Sequence, residues 1–338
     1  MANPLFRNFT PFSSLAFESW GPGGAAWRTV ALKGTFALRP EEDVRGIPDQ
    51  APLMLAATHW GEPGQSSLRQ DHDLAPFKPR TDVHVVGTAR APGGKPRSDW
   101  VAGVQVGPVD VMVRLVGPRT WTRRRLLPWR LSPPEPTVEV PLQFERSFGG
   151  VRADGRAFER NPYGTGWDPK PGKDSVLAPQ IEAVDDPVSG MGNEVAVAAL
   201  GPLAPVCSSR RALAGTFDDE WLEDQWPLMP DDFDFAFYNS APESMQVDGY
   251  LQGDEAFELT GLLAEPSFRG RLPGIRPFVL ARQDDGHFVY YRSELDTVVF
   301  SIDERLVYMT WRSVVPLEPE VRVLEARAAM NAEASHGS

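Results

Sequence analysis

The chain has 338 residues, carries 46 Asp and Glu against 34 Lys and Arg for a net charge of −12, and contains 33 Pro and 30 Gly. Proline at roughly twice its usual share of about 5% excludes a long-helix bundle or coiled coil, because each proline removes a backbone donor and clashes with the preceding turn. Ten Trp and 41% hydrophobic residues exclude general disorder, and a single cysteine, Cys207, excludes an internal disulfide framework or a cysteine-built zinc cage.

In chain order, the stretch from Trp27 to Leu38 alternates, with Val30, Leu32, Phe36 and Leu38 on one face. Its interruption by Gly34 predicts a bulge or a close backbone approach. A strand is predicted from Thr81 to Arg90, and two more over 101–106 and 109–116, joined at Gly107-Pro108. These form an N-terminal strand set over about 25–145. From Gly149 to Pro205 there are sixteen Gly or Pro, too dense for regular elements, so about 146–212 reads as a long, ordered, loop-rich middle. Thr216 with Asp219 resembles a capping box that opens a helix from Phe217 to Trp226. Pro227 stops it, and Leu222 and Trp226 are expected to face the core. Acidic loops continue to 268. A C-terminal strand set over 269–316 contains Pro277–Arg282 and His287–Arg292 around an Asp285-Gly286 turn. It also contains 297–302 and 305–312 around Asp303-Glu304. Residues 317–338 read as a short helix or frayed tail. The expected fold is mainly β, an antiparallel β-sandwich or meander framework with one short helix. No linker is evident, so 1–316 is expected to be one composite domain.

The charge is uneven. Between Ala212 and Phe268 there is no Lys or Arg but fourteen Asp and Glu, while from Val111 to Pro134 there are six Arg and no carboxylate. Such patches are either solvated faces, surfaces that meet within the fold, or a polar rim that orients a protein partner. On the last reading the candidate contacts are Asp231, Asp232, Asp234, Asp254, Glu255, Arg123, Arg124 and Arg125. A net acidic chain is a poor nucleic-acid binder. No window of about 18 apolar residues suggests a membrane span, and no basic-then-apolar start suggests a signal peptide. The expectation is therefore a cytoplasmic protein without nucleic-acid or membrane partners.

No catalytic constellation emerges. Cys207 has no neighbouring histidine and reads as a small buried apolar residue. His59, His72 and His84 lie near Asp71 and Asp73, but their spacing matches no metal motif. Asp231-Asp232-Phe233-Asp234 lacks the alternation of a calcium loop, and Gly164-Thr165-Gly166 lacks a dinucleotide context. No cofactor or metal is expected. The enzyme-class alternative is a carboxylate-based hydrolase using acids of 218–258, which requires facing carboxylates, one with a raised pKa.

Several strings occur in order: Asp73-Leu-Ala-Pro-Phe-Lys-Pro-Arg-Thr-Asp82, Phe144-Glu-Arg-Ser-Phe-Gly-Gly150, Asn161-Pro-Tyr-Gly-Thr-Gly166, Ala214-Gly-Thr-Phe-Asp-Asp-Glu-Trp221 and Trp226-Pro-Leu-Met-Pro-Asp-Asp-Phe-Asp234. Tyr238-Asn-Ser-Ala-Pro242, Gly249-Tyr-Leu-Gln-Gly-Asp-Glu255 and Arg271-Leu-Pro-Gly274 follow. From about Lys33 to Trp311 the chain resembles a bacterial domain-of-unknown-function family associated with type VI secretion and often encoded beside PAAR-like spike-tip proteins. The resemblance implies a non-enzymatic chaperone or adaptor that binds a secreted effector and helps load it onto the spike complex. A structural part of the secretion apparatus is the other non-enzymatic alternative. The family offers no catalytic residues to carry over. Pro76, Phe77, Lys78 and Pro79 are expected to set an extended lead-in to the strand at Thr81. Phe148, Gly149 and Gly150 would form a tight turn, and Trp221, Trp226 and Phe233 would pin the acidic helix to the framework.

Overall fold

The computed structural model describes residues 4–40, 44–123 and 127–330. Its largest unit is a seven-stranded sheet. The order runs Gln246–Val247, Thr81–Val86, Glu294–Ser301, Leu306–Pro316, Ala26–Ala37, Ser13–Trp20, with Arg45–Gly46 also paired to Ala26–Ala37. Strands from both ends of the chain thus alternate across one sheet. All pairs are antiparallel except Thr81–Val86 with Glu294–Ser301, which is parallel.

The period-2 pattern decides what each face does. One face presents Leu32, Phe36, Val83, Val85, Val298, Phe300, Met309 and Trp311, all buried in the main apolar cluster. Against it packs a five-stranded sheet ordered Ile181–Ala183, Val109–Val116, Asp99–Val106, Ala256–Thr260, Ser267–Arg271, which contributes Val104, Leu115, Phe257 and Phe268. The layering is that of a β-sandwich. At Gly34 the strand continues in register without a bulge. A Cβ there would lie 2.7 Å from the Phe36 ring and 3.1 Å from Trp311, so the predicted close approach is what the glycine provides.

A four-stranded sheet covers the remainder of that face. Its order is Leu5–Asn8, Val321–Met330, Ile275–Gln283, Phe288–Arg292, and it buries Val279, Ala281, Val321 and Leu324 against Val30 and Val315. This corrects the expectation for 317–338: Val321–Met330 is a ten-residue strand in the interior of a sheet. Its Glu, Arg and Ala favour helix locally, but pairing on both sides with Leu5–Asn8 and Ile275–Gln283 overrides a propensity worth tenths of a kcal/mol per residue. Residues 331–338 lie outside the described part.

The loop-rich middle packs around a core of its own. Trp121, Phe148, Phe158, Val188 and Val195 form their own buried cluster, and Arg152 stacks over Trp167 at 3.9 Å. Among the described residues there are two short α-helices rather than one, Ser208–Arg211 and Asp219–Asp224. The second is shorter than predicted and is capped by Asp218, whose side chain accepts from Trp221 N–H at 2.9 Å. Thr216 instead donates to Asp232. Leu222 and Trp226 do not face the core; they are 57% and 65% exposed. No helix among the described residues is long and apolar enough to cross a membrane.

The placement of the C-terminal strand yields a stability prediction. Leu324→Ala should destabilise the chain by about 2–5 kcal/mol, the usual effect of emptying a fully buried leucine site, read as a lower midpoint in urea unfolding. A loss within experimental error would contradict the integration of this strand.

Candidate functional site

The second face of the seven-stranded sheet is polar yet buried. One rung runs across four strands, Lys33 opposite Thr310, Thr310 opposite Thr297, and Thr297 opposite Asp82. The next rung brings His84, Val299, Tyr308 and Thr35 side by side in the same way. The segment after Gln70 crosses this face as a strap and supplies the complementary charges. Lys33 Nζ lies 2.8 Å from Asp73, and Lys78 Nζ lies 2.5 Å from Asp82. Both pairs are almost wholly buried.

Every charge on the strap has further partners, as burial requires. Asp73 also accepts from Met54 N–H at 2.7 Å and from Thr310 at 3.3 Å. Asp82 accepts from the Asn239 amide and from Ser240 N–H. Arg312 binds Asp296 and the Asp73 carbonyl, and Arg210 pairs with Asp71 at 2.9 Å while donating to Leu203 and Phe237 carbonyls. Burial pushes the Asp73 and Asp82 carboxyls up, but the adjacent cations and hydrogen bonds outweigh it and hold both below the usual value. His84 is neutral: burial outweighs the attraction of Asp82 and pushes its pKa down to about 4.

The proximity of Ser240, His84 and Asp82 invites comparison with a hydrolytic triad, and the geometry differs from one. Ser240 Oγ and the Asp82 carboxylate both approach His84 Nε2, at 3.4 and 3.9 Å. A triad needs them on opposite ring nitrogens, whereas His84 Nδ1 has no partner. The space left among these side chains is about 20 Å³, room for one water molecule. This layer locks the strap to the sheet.

Other reactive candidates have ordinary surroundings. Burial pushes the Cys207 thiol up to about 11, the opposite of an activated nucleophile. Of the acids in 218–258, Asp232 is held low by hydrogen bonds from Thr216, and Glu258 by those from Ser267 and Arg269. A general acid requires a shift upward. Among the described residues no three His, Cys, Asp or Glu side chains converge as metal ligands.

The sequence-derived contact candidates fall in three separate places. Asp231 N–H donates to Gln225 Oε1, Asp232 braces Thr216, and Asp234 caps the turn Phe235–Tyr238 by accepting from Ala236 N–H. Glu255 accepts from Gln252 and Gly253 N–H, and Asp254 lies 3.8 Å from Arg276. Arg123 stacks over Trp129 at 4.9 Å; Arg124 and Arg125 lie outside the described residues.

The motif residues are better placed by chemistry. Pro76 carbonyl accepts from Thr29 at 2.7 Å, Phe77 meets Phe235 edge-on at 5.7 Å, and Pro79 leads into the strand at Thr81. Lys78, expected only to shape the lead-in, is a buried ion-pair partner. Phe148 stacks on Phe158, and Gly149 and Gly150 have φ of 148° and 107°. A Cβ on them would lie 2.2 and 2.4 Å from the carbonyl oxygens of Asn161 and Gly164, so no other residue fits the turn. Phe233 packs with Phe235, Phe237 and Tyr238.

Trp221 and Trp226 depart from expectation. With Phe217 they stack on one another, Phe217 to Trp221 at 4.7 Å and Trp221 to Trp226 at 5.7 Å, and they leave Phe217, Leu222 and Trp226 in solvent. Among the described residues, Asp219, Glu220, Glu223 and Asp224 on the same helix make no side-chain hydrogen bond or ion pair. The helix therefore presents an exposed aromatic patch interleaved with free carboxylates, the molecule's candidate contact surface.

Residues 23–312 match the model of DUF2169, a family described as uncharacterized protein conserved in bacteria. The chain belongs to this family. No curated protein and no solved structure matches it. The match covers the strap, the exposed helix and the seven-stranded sheet apart from its edge strand Ser13–Trp20 and residues 313–316, so the family's shared part includes both the polar lock and the aromatic patch.

Two predictions test the lock. Lys78→Met leaves Asp82 buried without its cation and should destabilise by about 3–5 kcal/mol, while Lys78→Met with Asp82→Leu should recover most of that loss; urea unfolding of the three proteins decides it. At His84, the unfolded chain takes up a proton below pH 6.5 that the folded chain refuses until about pH 4. Stability therefore falls as pH drops through this window, by about 3 kcal/mol in all. His84→Asn should flatten that part of the pH profile, and an unchanged slope would rule out the assignment.

Proposed function

We propose that this DUF2169 protein is a non-enzymatic adaptor that holds a secreted effector and helps load it onto the PAAR-like spike of a type VI secretion system. The observation that carries the reading is the exposed helix Asp219–Asp224. A folded chain that buries more than fifty hydrophobic side chains leaves Leu222 of this six-residue helix, and Phe217 and Trp226 that flank it, in water. Exposed aromatics of this kind are the anchors of protein interfaces. The surrounding carboxylates supply a charged rim, which steers encounter and orients the partner more than it adds affinity.

The rigid frame supports the same reading. The strap and the loop-rich middle are held by buried ion pairs and an aromatic cluster, so the contact loops are presented in one conformation, which reduces the ordering entropy lost on binding. The motif series that suggested the secretion role contains Asp73, Lys78 and Asp82 of the lock and Phe217, Trp221 and Trp226 of the patch. Loading takes place in the cytoplasm before export, with the effector and the spike-tip protein as the two partners.

Co-expression with the effector encoded beside the gene tests this. The wild-type chain should co-purify with the effector and raise its soluble yield. Glu220→Lys, Glu223→Lys and Asp224→Lys together should reduce recovery at least tenfold with an unchanged melting temperature, since none of the three has a structural partner. Absence of a wild-type complex, together with no effect on effector solubility or export, would reject the adaptor reading.

A further inference from the structure

Beside the exposed helix lies a groove of about 640 Å³. One wall is the strand Ser13–Trp20 at Phe17, Ser19 and Trp20; the other is the loop Pro227, Leu228 and Met229, which follows directly on the acidic helix. Leu74 and Pro76 of the strap form the floor. The lining is mainly apolar, and its one charged residue is Glu18. Trp20 and Leu228 are 50% and 38% exposed.

The strand wall is also the end of the seven-stranded sheet. Gly21 N–H donates to Ala25 carbonyl at the start of the hairpin, and the register with Ala26–Ala37 runs without a shift. Hydrogen-bonded and non-bonded pairs alternate from there, so the peptide groups of Ser14, Ala16, Glu18 and Trp20 point away from the sheet. No backbone group among the described residues bonds to them. A free, eight-residue edge beside an apolar groove is the geometry of strand addition, in which main-chain bonds give affinity and alternate side chains give specificity.

Charge settles the chemistry of the occupant. The loop wall belongs to the 57-residue stretch without Lys or Arg, the helix before it carries four carboxylates with no partner among the described residues, and the strand wall adds Glu18, 3.5 Å from the buried Arg28. We propose that the groove takes an extended segment of the partner protein that pairs with Ser13–Trp20 as an added strand and alternates apolar with basic side chains. The apolar ones, on the face of Phe17 and Ser19, fill the groove, and the basic ones, on the opposite face, meet Glu18. This rests on the adaptor reading and specifies how the cargo is held.

The test uses the full chain and three synthetic peptides of equal length, alternating Val/Lys, Val/Thr and Val/Glu, titrated by tryptophan fluorescence and calorimetry. The Val/Lys peptide should bind, Val/Thr more weakly, and Val/Glu not at all. Ala16→Pro removes an outward N–H and no ladder bond, and prolines are tolerated on edge strands. It should raise the Kd for Val/Lys at least tenfold. Leu228→Asp should do the same although it adds negative charge, because it fills the apolar groove with a carboxylate. Val/Lys binding that both variants leave intact would overturn the groove, showing adherence to charge alone. A wild-type dimer that Ala16→Pro dissociates would overturn it in favour of a second copy as the occupant. Co-purification separates this proposal from the one beneath it. Effector retained by both variants rejects the groove and leaves the adaptor standing; effector lost from both supports the groove; effector never bound by wild type rejects the adaptor, and the peptide titrations then decide the groove alone.

Discussion

The structure depends on one rung of its main sheet. Lys33 and Asp82 stand at opposite ends of a row that crosses four strands, separated by Thr310 and Thr297. Unpaired, two opposite charges on a buried sheet face would each be costly. The strap carries Asp73 and Lys78 in the reverse order, so laying it across the face pairs both ends at once. Only one register of the strap does this. A shift by one residue would place Asp73 and Lys78 away from their partners and leave four charges without compensation.

The lock has consequences at a distance. Because Asp82 also accepts from Asn239 and Ser240, it fixes the chain just after the aromatic run Phe233–Tyr238. Because the Lys78 carbonyl accepts from Tyr250 at 2.6 Å, the strap fixes the return of the chain toward Gln246–Val247. Arg210 binds Asp71 and two loop carbonyls, so the end of the loop-rich middle is tied to the same layer. Four segments distant in sequence thus meet one polar face. Hydrophobic burial on the other face supplies most of the stability; the polar face supplies the register, since directional bonds discriminate between arrangements that apolar contact would accept alike.

The strands were legible because their apolar residues alternate, and alternation survives wherever one face is dry. Val30, Leu32, Phe36, Val298, Phe300, Met309 and Trp311 all fall on the core face. The same pattern misled about the other face. Lys33, Asp82, His84 and Arg312 occupy positions that read as solvent-facing, and nothing local to Lys33 or Arg312 says that the strap just before Asp82 will cover them. The signal existed in Asp73, Lys78 and Asp82, one motif with charges spaced to bridge two strands, but spacing alone does not reveal the strand opposite. The C-terminal strand failed for a different reason. Val321–Met330 is rich in helix formers, and only its neighbours on both sides make it a strand. At Leu222 and Trp226 both the helical pairing and the inference of burial fail: the helix ends at Asp224, so Trp226 lies beyond it, and both side chains are in solvent. A spacing of four in sequence shows neither where a helix stops nor what its face meets.

That last error is informative about the surface. A short helix whose apolar side chains find no core is unstable alone, since fewer than about twelve residues rarely hold a helix in water. This one is held by its Asp218 cap, by the Trp221 indole donating to Leu228 carbonyl at 3.0 Å, and by the Asp232 brace on Thr216. Each bond orders the backbone and none of them covers the aromatic rings. The carboxylates at 231, 232 and 234 therefore act on the loop's shape, while those at 219, 220, 223 and 224 are left for whatever the rings meet. Structure and charge are divided between two sets of acids in one segment, which is why its excess of −14 reads as a single patch in sequence and as a brace beside an open face in the fold.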